Sequence, residues 1–448
     1  MLATMETVAM DRQHWVWAIF FFVVALSVNA QEATPASTET VENAVANRSL
    51  QVGELLQRAA AGDTNAQYDV ANAYHTGIGL PKDDAEASRW WLQAAQKGHA
   101  EAQNSIGYLY EHGTGVPKDY EEAVRWFSLA AKQKLPAAQY NLAYMYQRGN
   151  GLPRDYARAV ELYIQAAAQG FAPARNSLGV AYEFGIGVPT NAAQAFELFR
   201  LAAEQGAPSA QHNLGTMYFE GHGTARSYPD ALKWFSQAAS HGIPASYAAL
   251  GYIYEFGNGV HRDLVKASGL YREAAERGHL IAQVELAKLY LTGKGVPQDY
   301  VEAAKWFLRA AEQGHPAAQT GIGYLYFQGR GVRRDYSQAA AWFQKAADQD
   351  CPVAQLNLAF LYQNGLGVPV NYAEAYKWLT LSANKRNHLS AASMRSLDEL
   401  KHIMTEFQLR DGKARVSEWT SHAHINLAVR KTETDALDGY ATAASALP

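Results

Sequence analysis

The feature that most constrains this chain is a period of 36 residues. The stretch Ile281 to Pro316, IAQVELAKLYLTGKGVPQDYVEAAKWFLRAAEQGHP, shares its skeleton with eight others laid end to end without insertion or deletion. These begin at Asn65, Glu101, Ala137, Pro173, Ser209, Ala245, Ala317 and Val353, and the nine copies fill residues 65–388. A unit this small cannot bury its apolar face alone. It must bury that face against its neighbours, so one elongated array replaces the separate globules that 448 residues would otherwise form. A hydrophobic content of 48% is ample for a continuous core of that kind.

Each unit carries two helical patterns. Ala282, Leu286 and Tyr290 stand four residues apart on one face of a first helix, helix A. A small residue follows the leucine position, as Ala287 does, and lets the next helix come close. Ala303, Trp306, Phe307, Ala310 and Ala311 form the wide apolar stripe of a second helix, helix B. Trp90, Trp126, Trp234, Trp306, Trp342 and Trp378 are read as its core series. Between the helices stands Gly-x-Gly, from Gly77 and Gly79 to Gly365 and Gly367, whose first glycine can end helix A at positive φ. Asp299 then suits the N-cap of helix B, with Glu302 at capping-box spacing. The pair recurs as Asp83/Glu86, Asp119/Glu122, Asn191/Gln194, Asp335/Gln338 and Asn371/Glu374. A dinucleotide-binding loop would need a strand before its glycines. Here a helix precedes every copy, so the glycines are caps and turns.

The full pattern, A-Q-x-x-L-G-x-x-Y-x-x-G-x-G-V-P-x-D-Y-x-x-A-x-x-W-F-x-x-A-A-x-x-G, resembles the Sel-one-like repeat (SLR) family, relatives of the tetratricopeptide repeat with a longer turn. The resemblance implies an all-α fold: an α/α superhelical solenoid of nine helix-turn-helix repeats closed by terminal capping helices, with helix A lining the concave face. Some relatives staple each repeat with a disulfide. This chain has one cysteine, Cys351, which excludes an intramolecular disulfide and a cysteine metal cage.

The flanks read differently. Residues 1–30 have the form of a secretory signal: a 14-residue apolar run from Trp15 to Val28, then Val28-Asn29-Ala30 at the cleavage positions. Cleavage after Ala30 predicts an exported chain, periplasmic or secreted, with no membrane span once mature. An uncleaved N-terminal anchor is the alternative. Residues 31–50 are polar and small, a flexible spacer. Residues 51–64 hold an N-terminal capping helix, since Leu55, Ala59 and Gly62 match the register of Phe307, Ala311 and Gly314. Met394, Leu397, Leu400, Met404 and Phe407 recur at helical spacing, Asp411-Gly412 breaks the helix, and Lys413 to Trp419 form a last short one. Residues 389–420 are thus C-terminal capping helices, and residues 421–448 a flexible tail.

No catalytic, cofactor-binding or metal-binding constellation stands above background. His422-x-His424 lacks a third ligand. His99, His279 and His315 share one inter-repeat position and read as loop histidines. No serine sits in a Gly-x-Ser-x-Gly elbow. A formal net charge of −4 argues against a broad nucleic-acid surface. Helix A is more informative. The position two before the repeated tyrosine should face the groove and carries Tyr108, Tyr144, Tyr252, Tyr324 and Phe360; four residues earlier stand Tyr68, Tyr140 and His212. Such rings form a peptide-binding face, or else pack between successive helices A. By resemblance, the expected function is an exported, noncatalytic scaffold or adaptor for a protein or peptide. The alternatives are an assembly factor for cell wall or exopolysaccharide that contacts an envelope glycan, and an enzyme like the cysteine-rich relatives described as β-lactamase-like or penicillin-binding. The latter is disfavoured because no nucleophile–base pair and no zinc set is present.

Overall fold

The structure, a computed structural model, describes residues 51–384 and 390–434. The expected signal and spacer, and the tail beyond residue 434, lie outside the described residues. The described chain is helical throughout and forms two compact units whose boundary in the sequence falls between Ala130 and Ala131, inside helix B of the second repeat.

The first unit opens with a helix over residues 51–60, followed by helices A and B of the first repeat (Thr64–Thr76, Asp84–Gln96) and helix A of the second (Ala100–His112). Leu55, Leu56 and Ala59 of the opening helix pack with Val70, Tyr74, Leu80 and Trp90. Without them, that apolar side of the first repeat would face water. Deleting residues 51–62 should therefore leave a chain that aggregates, or whose amides in Thr64–Thr76 lose protection in hydrogen exchange. Unchanged solubility and protection would show that this helix is no cap.

The second unit stacks helices of the same kind, from Pro136–Arg148 to the ninth pair, Pro352–Asn364 and Tyr372–Ala383. One unit explains the rest. Gly293 ends helix A of the seventh repeat (Leu280–Thr292) at φ 68°, and its N–H donates to the Leu289 carbonyl. Asp299 then caps helix B (Tyr300–Glu312), its carboxylate accepting from the N–H groups of Val301 at 2.8 Å and Glu302 at 3.1 Å. The expected capping box is only half formed. The Asp299 N–H donates instead to the carbonyl of Tyr290 at 3.0 Å, and Glu302 turns to Lys305 at 3.0 Å and Trp306 Nε1 at 3.2 Å. The same backbone bond joins Asp83 to Tyr74 and Asn371 to Tyr362, so the repeated tyrosine anchors the turn through its carbonyl. His99 and His279 are also more than loop residues. Each is the N-cap of a helix A and accepts from the N–H three residues on, at 3.3 and 3.2 Å.

Three further contacts join one repeat to the next or one helix to its partner. The second glycine of Gly-x-Gly sits on the preceding helix B. A Cβ at Gly331 would lie 2.0 Å from the Tyr300 carbonyl oxygen. The small residue of helix A faces the aromatic ring of helix B: a Cβ at Gly215 would lie 2.8 Å from Phe235. A buried glutamine of helix A ties several repeats to the helix before. Gln67, Gln103, Gln283 and Gln319 donate to the carbonyls of Ala59, Ala95, Ala275 and Ala311 at 3.1 to 3.2 Å. Those carbonyls end a helix and also accept from the N–H of the glycine that follows, as Ala275 does from Gly278 at 3.1 Å, so the glutamine adds a second donor there.

The tryptophan series is corrected by one position. Trp126, Trp306 and Trp378 are buried, but Trp90, Trp234 and Trp342 are half-exposed, with lysine heads over Trp234 and Trp342 at 5.1 and 4.0 Å. The continuous core series lies one residue later, at Trp91, Phe127, Tyr163, Phe199, Phe235, Tyr271, Phe307, Phe343 and Leu379, all buried.

The C-terminal reading also changes. After Ser390–Ile403 a single helix runs Glu406–Thr434, so Asp411-Gly412 is no break and the helix continues into the segment expected to be a flexible tail. Gly412 is there for contact: a Cβ would lie 2.8 Å from the Tyr376 ring. Leu397, Leu400, Met404, Leu409, Val416 and Trp419 cover the last repeat, and Trp419 meets Trp378 edge-on at 6.4 Å.

Candidate functional site

Two rows of helix-A side chains carry the expected binding face, and the structure separates them. Tyr68, Tyr140 and His212 pack between successive repeats. The Tyr68 ring stacks on His99 at 4.7 Å, and Tyr140 meets Tyr163 and Phe171 at 5.7 Å. His212 is 7% exposed. Its Nδ1 lies 2.9 Å from the hydroxyl of Ser246 in the next repeat, and its ring leans on Phe235 at 5.4 Å. Burial, with a smaller push from His279, lowers its pKa to about 4, so it is neutral at pH 7. His212 is therefore a core side chain, and its expected place on an open face is withdrawn.

The second row points outward to different degrees. Its rings lie over the side chain four residues on: Tyr108 on His112 at 3.9 Å, Tyr144 under the Arg148 guanidinium at 5.3 Å, Tyr252 beside Phe256 at 4.5 Å. Those three are half-buried. Tyr324 and Phe360 are 41% and 47% exposed. Gln328 donates to the Tyr324 hydroxyl, and Phe360 rests edge-on against Phe327 at 6.0 Å. Tyr108, Tyr144 and Tyr252 thus stack along their own helices, and the eighth and ninth repeats leave their rings open to water.

In the second unit, helices A of repeats four to seven (Ala172–Phe184, Pro208–Glu220, Pro244–Phe256, Leu280–Thr292) wall a cavity of about 360 Å³. His212 and Tyr252 line it, with Phe184, Met217 and Phe256 as apolar wall. Glu183, Glu220, Glu255 and Glu285 also line it, and the sequence reading did not find them. They stand at three different places relative to the repeated tyrosine, so no single repeat position reveals the group.

Among the described residues, no group of three His, Cys, Asp or Glu side chains gathers to hold a metal ion, and no helix is long and apolar enough to cross a membrane. The side chains of His422 and His424 lie outside the described residues.

Comparison with known proteins gives a consistent picture. The family model described as Sel1 repeat matches nine times, over residues 64–99, 100–135, 136–171, 172–206, 208–243, 244–279, 280–315, 316–351 and 352–387. The chain is similar to the crystal structure of a Sel1 repeat protein from Oxalobacter formigenes, at 32% identity over 75% of this chain and 99% of that one, with a TM-score of 0.53. It is also similar to c5321, a protective antigen present in uropathogenic Escherichia coli strains displaying an SLR fold. There the identity is 32% over 85% of this chain and 88% of that one, with a TM-score of 0.49. None of the curated proteins compared matches this chain.

Proposed function

The chain belongs to the Sel1 repeat family, and on that premise we propose that it is an exported, noncatalytic scaffold that holds a protein or peptide partner along its helix-A face. A fold of this family commonly mediates protein–protein contact. The observation that carries the finer reading is the pair Tyr324 and Phe360, large rings exposed at one repeat position where neighbouring helix-A residues such as Ile322, Leu325, Leu358 and Leu361 are buried. Aromatic side chains bring a large apolar area at low entropic cost and are favoured anchors in interfaces.

The test is capture of a partner from an envelope extract by the chain starting at Gln31, followed by affinity measurement on Tyr324→Ala/Phe360→Ala. Binding should weaken by about 2 kcal/mol or more if both rings are central anchors, with little change in melting temperature. A double variant that binds as well as the parent would remove these rings from the interface.

The export half of the reading rests on the apolar run ending in Val28-Asn29-Ala30. Mass spectrometry of the protein from its native host should find Gln31 at the N-terminus. Intact residues 1–30 on protein recovered from the envelope would replace cleavage with anchoring.

A further inference from the structure

The cavity walled by the fourth to seventh helices A is rich in carboxylates. Among the described residues lining it, Lys288 is the one lysine or arginine, and its ammonium is 2.7 Å from Glu285. Glu255 accepts from the Tyr271 hydroxyl at 2.8 Å. Two carboxylates remain. Glu183 has a side chain only 14% exposed. Its Oε1 lies 2.5 Å from His222 Nδ1, while its Oε2 is buried without a hydrogen-bond partner. Beside it, burial and the charge of Glu183 together push the Glu220 carboxyl above its ordinary pKa. A buried carboxylate oxygen without a donor is costly to keep. Around these groups stand rings and a thioether: Phe184, Tyr252, Phe256 and Met217.

We infer that this cavity takes the basic side chain of a bound peptide, a guanidinium or ammonium group carried on an otherwise apolar segment. The inference rests on the peptide-scaffold reading above and names the chemistry of its ligand. A guanidinium presents five N–H donors in a planar fork, enough to bond Glu220 and, with a turn of the Glu183 side chain, its buried Oε2 as well, and its flat faces suit aromatic walls. An anionic ligand would meet four carboxylates against one lining lysine already paired, with His222 beside Glu183 and Arg226 near Glu220 as further basic groups. A neutral apolar ligand would offer the buried Glu183 Oε2 nothing to bond. The volume of about 360 Å³ lies at the lower end for small-ligand sites, appropriate to one long side chain rather than a folded surface.

The probe is a phage-displayed library of random dodecapeptides selected on the full chain at neutral pH, with the recovered peptides then made synthetically. Selected sequences should be enriched in arginine or lysine. Replacing that residue by citrulline or norleucine should weaken binding at least tenfold, and so should Glu183→Gln/Glu220→Gln in the protein. If the double variant melts lower than the parent, the citrulline comparison on the parent chain decides. Peptides that lack basic residues, or that bind the double variant as they bind the parent, overturn the assignment. In that case the scaffold reading survives if Tyr324→Ala/Phe360→Ala still weakens them. Recovery of no binding peptide overturns both.

Discussion

Replacing Gly331 by alanine is expected to cost about 3 kcal/mol of stability at the junction of the seventh and eighth repeats. Two effects add. Gly331 sits at φ 70°, where an L side chain is disfavoured by about 1–2 kcal/mol. The new Cβ would also lie 2.0 Å from the Tyr300 carbonyl oxygen and 2.8 Å from the Val301 nitrogen. These are backbone atoms at the start of helix B, so they cannot turn aside as a flexible side chain would. Gly314 provides the control. It sits at φ 93° with nothing within 4 Å of a built Cβ, so Gly314→Ala should cost only the conformational share, about 1–2 kcal/mol. Urea unfolding of both variants against the parent measures the difference. Equal losses would show that the approach of the turn to the preceding helix B does not hold the repeats together.

Acid is expected to destabilise the region around His212 by about 2–3 kcal/mol between pH 7 and pH 4.5. The sign follows from proton uptake. An ordinary histidine titrates near 6.5, and burial lowers the folded value to about 4. Between those values the unfolded chain binds a proton that the folded chain refuses. Stability is therefore full above about 6.5 and falls as the pH drops toward 4, below which the loss is complete. Carboxylates elsewhere titrate in the same range, so the comparison must be internal. The drop from pH 7 to pH 4.5 should be smaller in His212→Gln than in the parent by that amount, whatever the variant's stability at pH 7. Parallel curves would mean that His212 is solvated in the folded chain.

Much of the fold was legible in the sequence because the repeated residues act locally. A glycine at positive φ, an aspartate at an N-cap and alanines at helical spacing do their work within a few residues of themselves. What stayed hidden depends on contacts between distant segments. Asp411-Gly412 has the composition of a helix break, yet Gly412 is kept small by the Tyr376 ring, 36 residues earlier. Trp90, Trp234 and Trp342 look like the most apolar residues of helix B, but the helix turns the following residue fully inward. Gln283 stands in the repeat pattern with no visible purpose until Ala275 supplies the carbonyl it bonds. The carboxylate cavity was invisible for a related reason. Glu183, Glu220, Glu255 and Glu285 come from four repeats that depart from one another, and only the packing of their helices brings them to one place.

The central claim is that the partner lies on the helix-A face, and site-specific photocrosslinking tests it most directly. A photoreactive phenylalanine placed at residue 324 or at residue 360 should crosslink the captured partner. The same group at residue 301, where Val301 is 63% exposed on helix B, should not. Crosslinks at 301 with none at 324 or 360 would put the partner on the opposite helices and contradict the account.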